Sequence, residues 1–233
     1  MFCYQCEQTA QGTGCTVHGV CGKDGTTANL QDVLVYVTKG IAMYAHRARQ
    51  LGAKDRDVDV FVTEALFSTL TNVNFDASRL AELIRKAVEV REKAKALYEG
   101  AAGQPEELSG PATFQPAADI DGLVEHAGEI GIAKRKAALG DDVTGLQELI
   151  LYGLKGAAAY ADHAQILGVE DDYVYAAFHQ ALDFLASDPT DVDALSGAAF
   201  GVGELNLKVM ELLDKANTGA YGHPEPTQVR VTP

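Results

Sequence analysis

The chain has 233 residues, and its 33 acidic and 19 basic side chains give a formal net charge of -14. This acidity argues against nucleic acid as a partner, because nucleic-acid backbones are bound through lysine and arginine. Charges such as Lys39, Arg47 and Lys155 interrupt the apolar runs, so no stretch reaches the roughly 20 apolar residues of a membrane span. No secretory signal pattern follows Met1. We therefore expect a cytoplasmic protein without membrane association, whose cysteines serve metal or redox chemistry rather than cross-links.

The first 29 residues form a cysteine loop. Cys3, Cys6, Cys15 and Cys21 are the only cysteines, spaced C-x2-C-x8-C-x5-C with glycines between them. Four thiolates in one loop can surround a small metal centre, and glycines let the backbone direct N–H groups at the sulfurs. The spacing alone leaves three possibilities open: an iron-sulfur cluster, a structural zinc ion, or disulfides and free thiols.

Zinc has one specific alternative site in this loop. His18 follows Cys15 by three positions, so Cys3, Cys6, Cys15 and His18 would make a tetrahedral site that leaves Cys21 free. The stronger zinc pattern, two paired C-x2-C units, is absent. We therefore favour the interpretation that His18 is a polar loop residue.

After the loop, the chain contains an internal repeat. Residues 30–52 match residues 146–168 at a constant offset of 116 positions. The matched pairs are Leu30 with Leu146, Gln31 with Gln147, Tyr36 with Tyr152, Lys39 with Lys155, Gly40 with Gly156, Tyr44 with Tyr160 and Gly52 with Gly168. Apolar residues recur at steps of three and four in both copies, which predicts an amphipathic helix ended by the last glycine. The mid-helix glycines Gly40 and Gly156 predict close approach of a neighbouring helix.

Two further helical patterns follow the first helix in each copy. They cover residues 58–70 and 77–98 in copy one, and residues 173–186 and 191–217 in copy two. Short polar turns favour antiparallel neighbours, so we predict an all-α fold with two tandem three-helix bundles, 30–99 and 144–218. Thr144 and Gln147 resemble a capping box at the start of the second bundle.

The remaining segments are predicted to be irregular. A proline-containing connector, 100–143, joins the bundles and carries a short helical piece around residues 123–127. An exit segment, 219–233, breaks the helical pattern at Gly219 and ends in a short strand-like stretch, 229–231. We interpret this segment as leading towards a missing domain, and we expect the chain to be a truncation.

The stretches MFCYQCEQTA, GTGCT, GVCGK and NLQD resemble the N-terminus of the hybrid-cluster proteins, also called prismane proteins or hydroxylamine reductases. For this cysteine spacing, the resemblance implies a 4Fe-4S cluster held by Cys3, Cys6, Cys15 and Cys21. It also implies a first domain of two three-helix bundles, in agreement with the internal repeat. The resemblance extends from Met1 through YGHPEPTQVRV, essentially the whole chain.

The same resemblance implies a longer parent protein, an oxidoreductase with two further α/β domains. Those domains hold the hybrid cluster that reduces hydroxylamine or nitric oxide. The expected role of this chain is electron transfer from a donor protein to the hybrid cluster, without turnover of substrate on its own. The loop N–H groups and a helix N-terminus near Asn29 are expected to stabilise the reduced cluster. The competing interpretation is a structural helical module whose N-terminus is held in place by a zinc ion and which supports docking of partner domains.

Overall fold

The computed structural model describes residues 1–230, and over that range the chain is all-α, as predicted. These described residues form eight α-helices, two short 3-10 helices and no strand beyond an isolated pairing of Cys3 with Cys15. The α-helices are α1 Gly25–Gln50, α2 Arg56–Ser68, α3 Ala77–Ala101, α4 Ile120–Ile130, α5 Ile132–Leu139, α6 Asp141–Ile166, α7 Asp172–Ala186 and α8 Val192–Tyr221. The 3-10 helices are Ala10–Gly12 and Gly110–Ala112. No helix in residues 1–230 is both long and apolar enough to cross a membrane.

Aspartate starts most of the helices. A carboxylate before each of six α-helices accepts a hydrogen bond from a backbone N–H of the first turn, which stabilises a helix by about 1 kcal/mol. These N-caps are Asp24, Asp55, Asp76, Asp119, Asp171 and Asp191. The two long repeat helices, α1 and α6, end before Gly52 and Gly168, whose φ values of 82° and 78° favour glycine. The predicted stops are therefore confirmed.

The two copies of the repeat interlock. Within each copy the first helix packs along the third, α1 on α3 and α6 on α8. The second helices pack mainly on the other copy, so that α7 lies against α1 and α2 lies against α6. One contiguous apolar core includes Leu34 and Ile41 of α1 together with Ile150 and Leu154 of α6. The predicted division at 30–99 and 144–218 stays a prediction, but the copies share a single core.

The two mid-helix glycines differ in their surroundings. A Cβ atom on Gly40 would lie 2.2 Å from the carbonyl oxygen of Pro111, so the predicted close approach is confirmed there, with a 3-10 helix as the neighbour. Gly156 has nothing nearer than 3.9 Å, and the same prediction is wrong at that position. In copy two the close approach occurs at Gly153, where a Cβ would lie 2.6 Å from Val202.

Three local predictions need correction. The connector contains α5 in addition to the expected helix around residues 123–127, and α6 begins at Asp141. Thr144 is therefore inside the helix with its hydroxyl unpartnered, and Gln147 donates to the Pro189 carbonyl at 3.0 Å, so no capping box forms. Helix α8 continues through Gly219 to Tyr221. Residues 229 and 230 form no regular strand, and residue 231 of the predicted stretch lies outside the described residues.

Candidate metal centre in the cysteine loop

The cysteine loop, residues 1–24, is folded back on itself before α1. Cys3 and Cys15 pair as in an antiparallel ladder, with N–H to O distances of 3.0 and 2.8 Å in the two directions. Between them the chain turns through the 3-10 helix, where Gln11 and Gly12 have φ values of 56° and 69°. This pairing brings the first and third cysteines of the motif to neighbouring positions.

Cys15 is the most enclosed of the four thiols, with 5% of its surface exposed. Its Sγ accepts a hydrogen bond from the Ala10 N–H at 3.4 Å, and the Thr9 hydroxyl lies 3.7 Å away. Hydrogen bonds from the backbone N–H groups of Ala10 and Val20 lower the pKa of the Cys15 thiol. Burial raises this pKa by a smaller amount, and the charge of Lys23 lowers it further. A thiolate is the form of cysteine that ligates metal, so this position is prepared for a ligand role.

The other three cysteines are partly exposed, and all four are free thiols. The chain is tight around Cys21, because a Cβ atom on Gly19 would lie 3.1 Å from its sulfur. In residues 1–230, no group of three or more histidine, cysteine, aspartate or glutamate side chains is arranged to hold a metal ion. That finding applies to the four cysteines as well as to the zinc alternative through His18, whose side chain is exposed. The ligand set Cys3, Cys6, Cys15 and Cys21 stays a prediction.

The residues present nevertheless fit an iron-sulfur group in their chemistry. Four free thiols lie on one short loop, a backbone N–H is already directed at one sulfur, and a glycine leaves space beside another. Iron-sulfur clusters are held by cysteine thiolates and tuned by hydrogen bonds to their sulfurs. The chemistry of the donor set is therefore compatible with such a cluster.

Lys23 is a buried cation beside the cysteine loop that the sequence pattern does not single out. It is 3% exposed, donates to the Gln31 side chain at 2.6 Å, and lies 5.9 Å from the centre of the Phe75 ring. A buried cation is costly unless it is paired or hydrogen-bonded, and this one lies close enough to lower the pKa of Cys15. The only signal in the sequence is its place two residues after Cys21.

The start of the loop is anchored on α5 of the connector and on α6 of copy two, whereas its end leads directly into α1 of copy one. The Phe2 ring lies 4.7 Å below the Lys136 ammonium of α5. Tyr4 packs edge-on against Phe2 and against Tyr152 of α6, with ring centres 5.1 and 5.9 Å apart. The loop therefore spans both copies, and its geometry depends on how they pack together.

The helix N-terminus expected near Asn29 lies four residues earlier. Helix α1 begins at Gly25, and the Asp24 carboxylate accepts the Thr27 N–H at 2.7 Å. The same hydrogen bond lowers the pKa of Asp24. Because a carboxylate already caps this helix, its N-terminus is less available to a second negative group than we expected.

Residues 1–233 match the family described as the Prismane/CO dehydrogenase family. The chain belongs to this family. Among similar proteins, the hydroxylamine reductase of Acidithiobacillus ferrooxidans is 53% identical over 241 aligned residues, which cover 100% of this chain and 43% of that protein. The hydroxylamine reductases of Rhodospirillum rubrum and Methanocella arvoryzae are 51% and 47% identical, covering 98% of this chain and 42% of their own lengths. The chain thus spans less than half the length of the relatives it matches.

Proposed function

We propose that this chain is the electron-transfer domain of a hybrid-cluster protein, with a 4Fe-4S cluster held by Cys3, Cys6, Cys15 and Cys21. The observation that carries the proposal is the environment of Cys15. Its sulfur accepts a backbone N–H, its pKa is lowered, and Lys23 supplies a buried positive charge nearby. Such surroundings stabilise the thiolate that an iron-sulfur group requires.

When bound, the cluster would supply one-electron acceptance and donation. The residues around the cysteines determine how strongly the reduced cluster, which carries one more negative charge, is stabilised. The Ala10 N–H and the Lys23 ammonium both favour negative charge at the sulfurs, so they would raise the reduction potential of the site. The net charge of -14 opposes them over longer range. The local donors act at shorter distance and are screened less by salt.

The relatives named hydroxylamine reductase are more than twice as long as the part that this chain covers. We propose that the corresponding parent protein reduces hydroxylamine in further α/β domains and that electrons reach them through this domain from a separate donor protein. The four free thiols favour a cytoplasmic location, where thiols are kept reduced. By this proposal, the chain on its own does not reduce substrate.

The test is the metal content of the anaerobically purified chain. We expect about four iron and four acid-labile sulfide per chain, as in cysteine-ligated clusters of this type. Replacing Cys15→Ser should remove most of the iron, because serine offers no thiolate at that position. One zinc and no sulfide would instead support the structural module and would contradict the proposal.

A matched control uses the zinc alternative. His18→Ala changes an exposed residue of the same loop and should leave the iron and sulfide contents unchanged. Loss of metal in His18→Ala together with retention in Cys21→Ser would overturn the ligand assignment. Far-UV circular dichroism of each variant shows whether the helices persist, so that loss of metal is not mistaken for loss of fold.

A further inference from the structure

A cavity of about 130 Å³ lies between α1 and α6, beside the cysteine loop. Four pairs of equivalent repeat positions line it: Asp32 with Glu148, Val35 with Leu151, Tyr36 with Tyr152, and Lys39 with Lys155. The duplicated unit therefore builds one cavity from two copies of the same helix surface. A volume of this size exceeds that needed by one water molecule, which is about 10–15 Å³ on the same measure. The cavity has room for a small solute.

Two buried ammonium groups face this cavity. Lys39 and Lys155 are 6% and 5% exposed, and each donates to one carbonyl of the opposite copy. Lys39 Nζ donates to Leu185 at 3.3 Å, and Lys155 Nζ donates to Thr69 at 3.4 Å. An ammonium group has three N–H donors, so the contacts within residues 1–230 leave donors on both lysines for a ligand.

Two further polar groups on the cavity wall lack partners within residues 1–230. The Tyr152 hydroxyl and the Gln5 side-chain nitrogen are buried and make no hydrogen bond there, and both residues line the cavity. A buried polar group without a partner costs about 1–3 kcal/mol. A ligand with acceptor atoms would recover that cost for both groups.

The remaining cations of the lining already have partners on the protein. Lys23 donates to Gln31, and Arg135 donates to Gln147 at 2.9 Å and to Glu148. Lys23 makes one hydrogen bond, as Lys39 and Lys155 do, but its partner is closer, at 2.6 Å against 3.3 and 3.4 Å. Lys39 and Lys155 are therefore the less firmly held ammonium groups of the lining.

The anions of the lining contribute little free negative charge inside. Glu148 is paired with Arg135, and Glu129, at the rim, pairs with Lys134 at 3.2 Å. Asp188, also at the rim, is exposed. Burial, followed by the Glu148 carboxylate, raises the pKa of Asp32 to about 7, so this group is partly neutral near neutral pH and can then donate. Donors exceed acceptors in the interior, which favours a ligand that accepts hydrogen bonds and carries negative charge.

We propose that the cavity between the two repeat helices is a binding site for a small monovalent oxyanion of the size of nitrate or bicarbonate. The ammonium groups of Lys39 and Lys155 hold its oxygens from opposite copies of the repeat, and the Tyr152 hydroxyl donates a third hydrogen bond. Cys3 also lines the cavity, so the proposed site adjoins the cysteine loop, and the metal content of the cysteines is kept constant in the test below.

Anion binding at this site weakens as the pH rises. Burial lowers the pKa of both Lys39 and Lys155 to about 8, so the two ammonium groups lose charge between pH 7 and 9. Over the lower part of the same range Asp32 becomes negative, because its pKa is about 7. Cys3 also lines the cavity and its charge acts on Lys155, so the comparison is made at constant metal content. The changes at Lys39, Lys155 and Asp32 all disfavour an anion, and affinity should therefore fall from pH 6.5 to pH 8.5.

The direct test is isothermal titration of the oxidised, metal-loaded chain with sodium nitrate. Sodium gluconate, whose anion is too large for the cavity, keeps the ionic strength constant. We expect saturable binding of one nitrate per chain, weakened at least tenfold by Lys39→Met and by Lys155→Met. The control Lys95→Met changes a lysine of α3 whose side chain is 41% exposed and should bind nitrate as the wild type does. Equal affinity in all variants, or a signal that does not saturate, would mean that the cavity holds water only and would overturn the proposal.

A milder variant keeps the proposal testable if a methionine variant does not fold. Tyr152→Phe removes only the unpartnered hydroxyl and should weaken nitrate binding several-fold while the circular dichroism spectrum is unchanged. Unaltered affinity in Tyr152→Phe, together with no tightening between pH 8.5 and pH 6.5, would overturn the site. Iron is counted in each sample, so that failure of the anion site is distinguished from failure of the proposed cluster.

Discussion

At the scale of single residues, His179 of α7 makes the folding free energy sensitive to pH. It is fully buried, and its Nε2 lies 2.8 Å from Asp59 of α2. Burial lowers the pKa of His179, against the opposing effect of Asp59. The unfolded chain therefore takes up a proton below about pH 6.5, whereas the folded chain resists it. Stability should fall as the pH drops from 7.5 to 5.5, by up to about 1.4 kcal/mol per pH unit from this group.

Urea unfolding at several pH values measures that slope. His179→Gln keeps a hydrogen-bond donor for Asp59 but does not titrate, so its stability should depend less steeply on pH than that of the wild type. His223→Gln, at an exposed position, serves as the control and should keep the wild-type slope. If His179→Gln and the wild type showed the same slope, protonation of His179 would not be linked to folding.

The spacing of the four thiols predicts a metal loop, and that ligand set stays a prediction. The surroundings of the cysteines could not be predicted from the sequence. The hydrogen bond from Ala10 to Cys15 depends on a turn in which Gln11 has a positive φ. Non-glycine residues rarely adopt that conformation, and no propensity rule predicts it. The burial of Lys23 likewise depends on contacts with Gln31 and Phe75 that only the folded chain brings together.

At the scale of helices, the two repeat glycines provide a matched pair of substitutions. Gly40→Ala would place a Cβ atom 2.2 Å from a backbone oxygen that cannot rotate away, so we expect a loss of about 1–3 kcal/mol from overpacking. Gly156→Ala meets nothing closer than 3.9 Å and should gain up to about 1 kcal/mol from helix propensity. Urea unfolding of both variants shows whether each substitution lowers or raises the free energy of unfolding. Equal effects would show that the 3-10 helix at Pro111 moves away at little cost.

Helix positions were largely predictable from periodicity, but their ends within the connector were not. The stripe of apolar residues in α1 and α6 follows the 3.6-residue period, and Gly52 and Gly168 end both helices as expected. The polar sequence of α5 lacks a broad apolar stripe, and only Ile132 is buried. Its position depends instead on tertiary contacts, such as Arg135 with Gln147 and Glu148. The same contacts use Gln147 and so displace the predicted capping box.

At the scale of the whole molecule, the repeat predicted two similar units but not how they interlock. Amphipathic periodicity shows that a helix has a buried face, yet it does not identify the helix that covers it. Ion pairs between copies fix the arrangement found here: Arg47 with Asp183, Arg49 with Asp172, and Arg56 with Glu170. Since α1 packs on α7 and α2 packs on α6, neither copy can bury its core without the other. The two copies should therefore unfold as one unit.

Phe178→Ala tests this cooperativity. Phe178 is 1% exposed in α7, and replacing a buried phenylalanine by alanine costs about 3–5 kcal/mol. If the copies share one core, native-state hydrogen exchange should show the same loss of protection in α3 as in α8, because both helices exchange through global unfolding. Phe200→Ala, at a residue of α8 that is 78% exposed, should change neither. Loss of protection in α8 with full protection in α3 would instead mean that residues 30–99 and 144–218 are independent bundles. The cysteine loop, which contacts both bundles, would then lie across a flexible boundary.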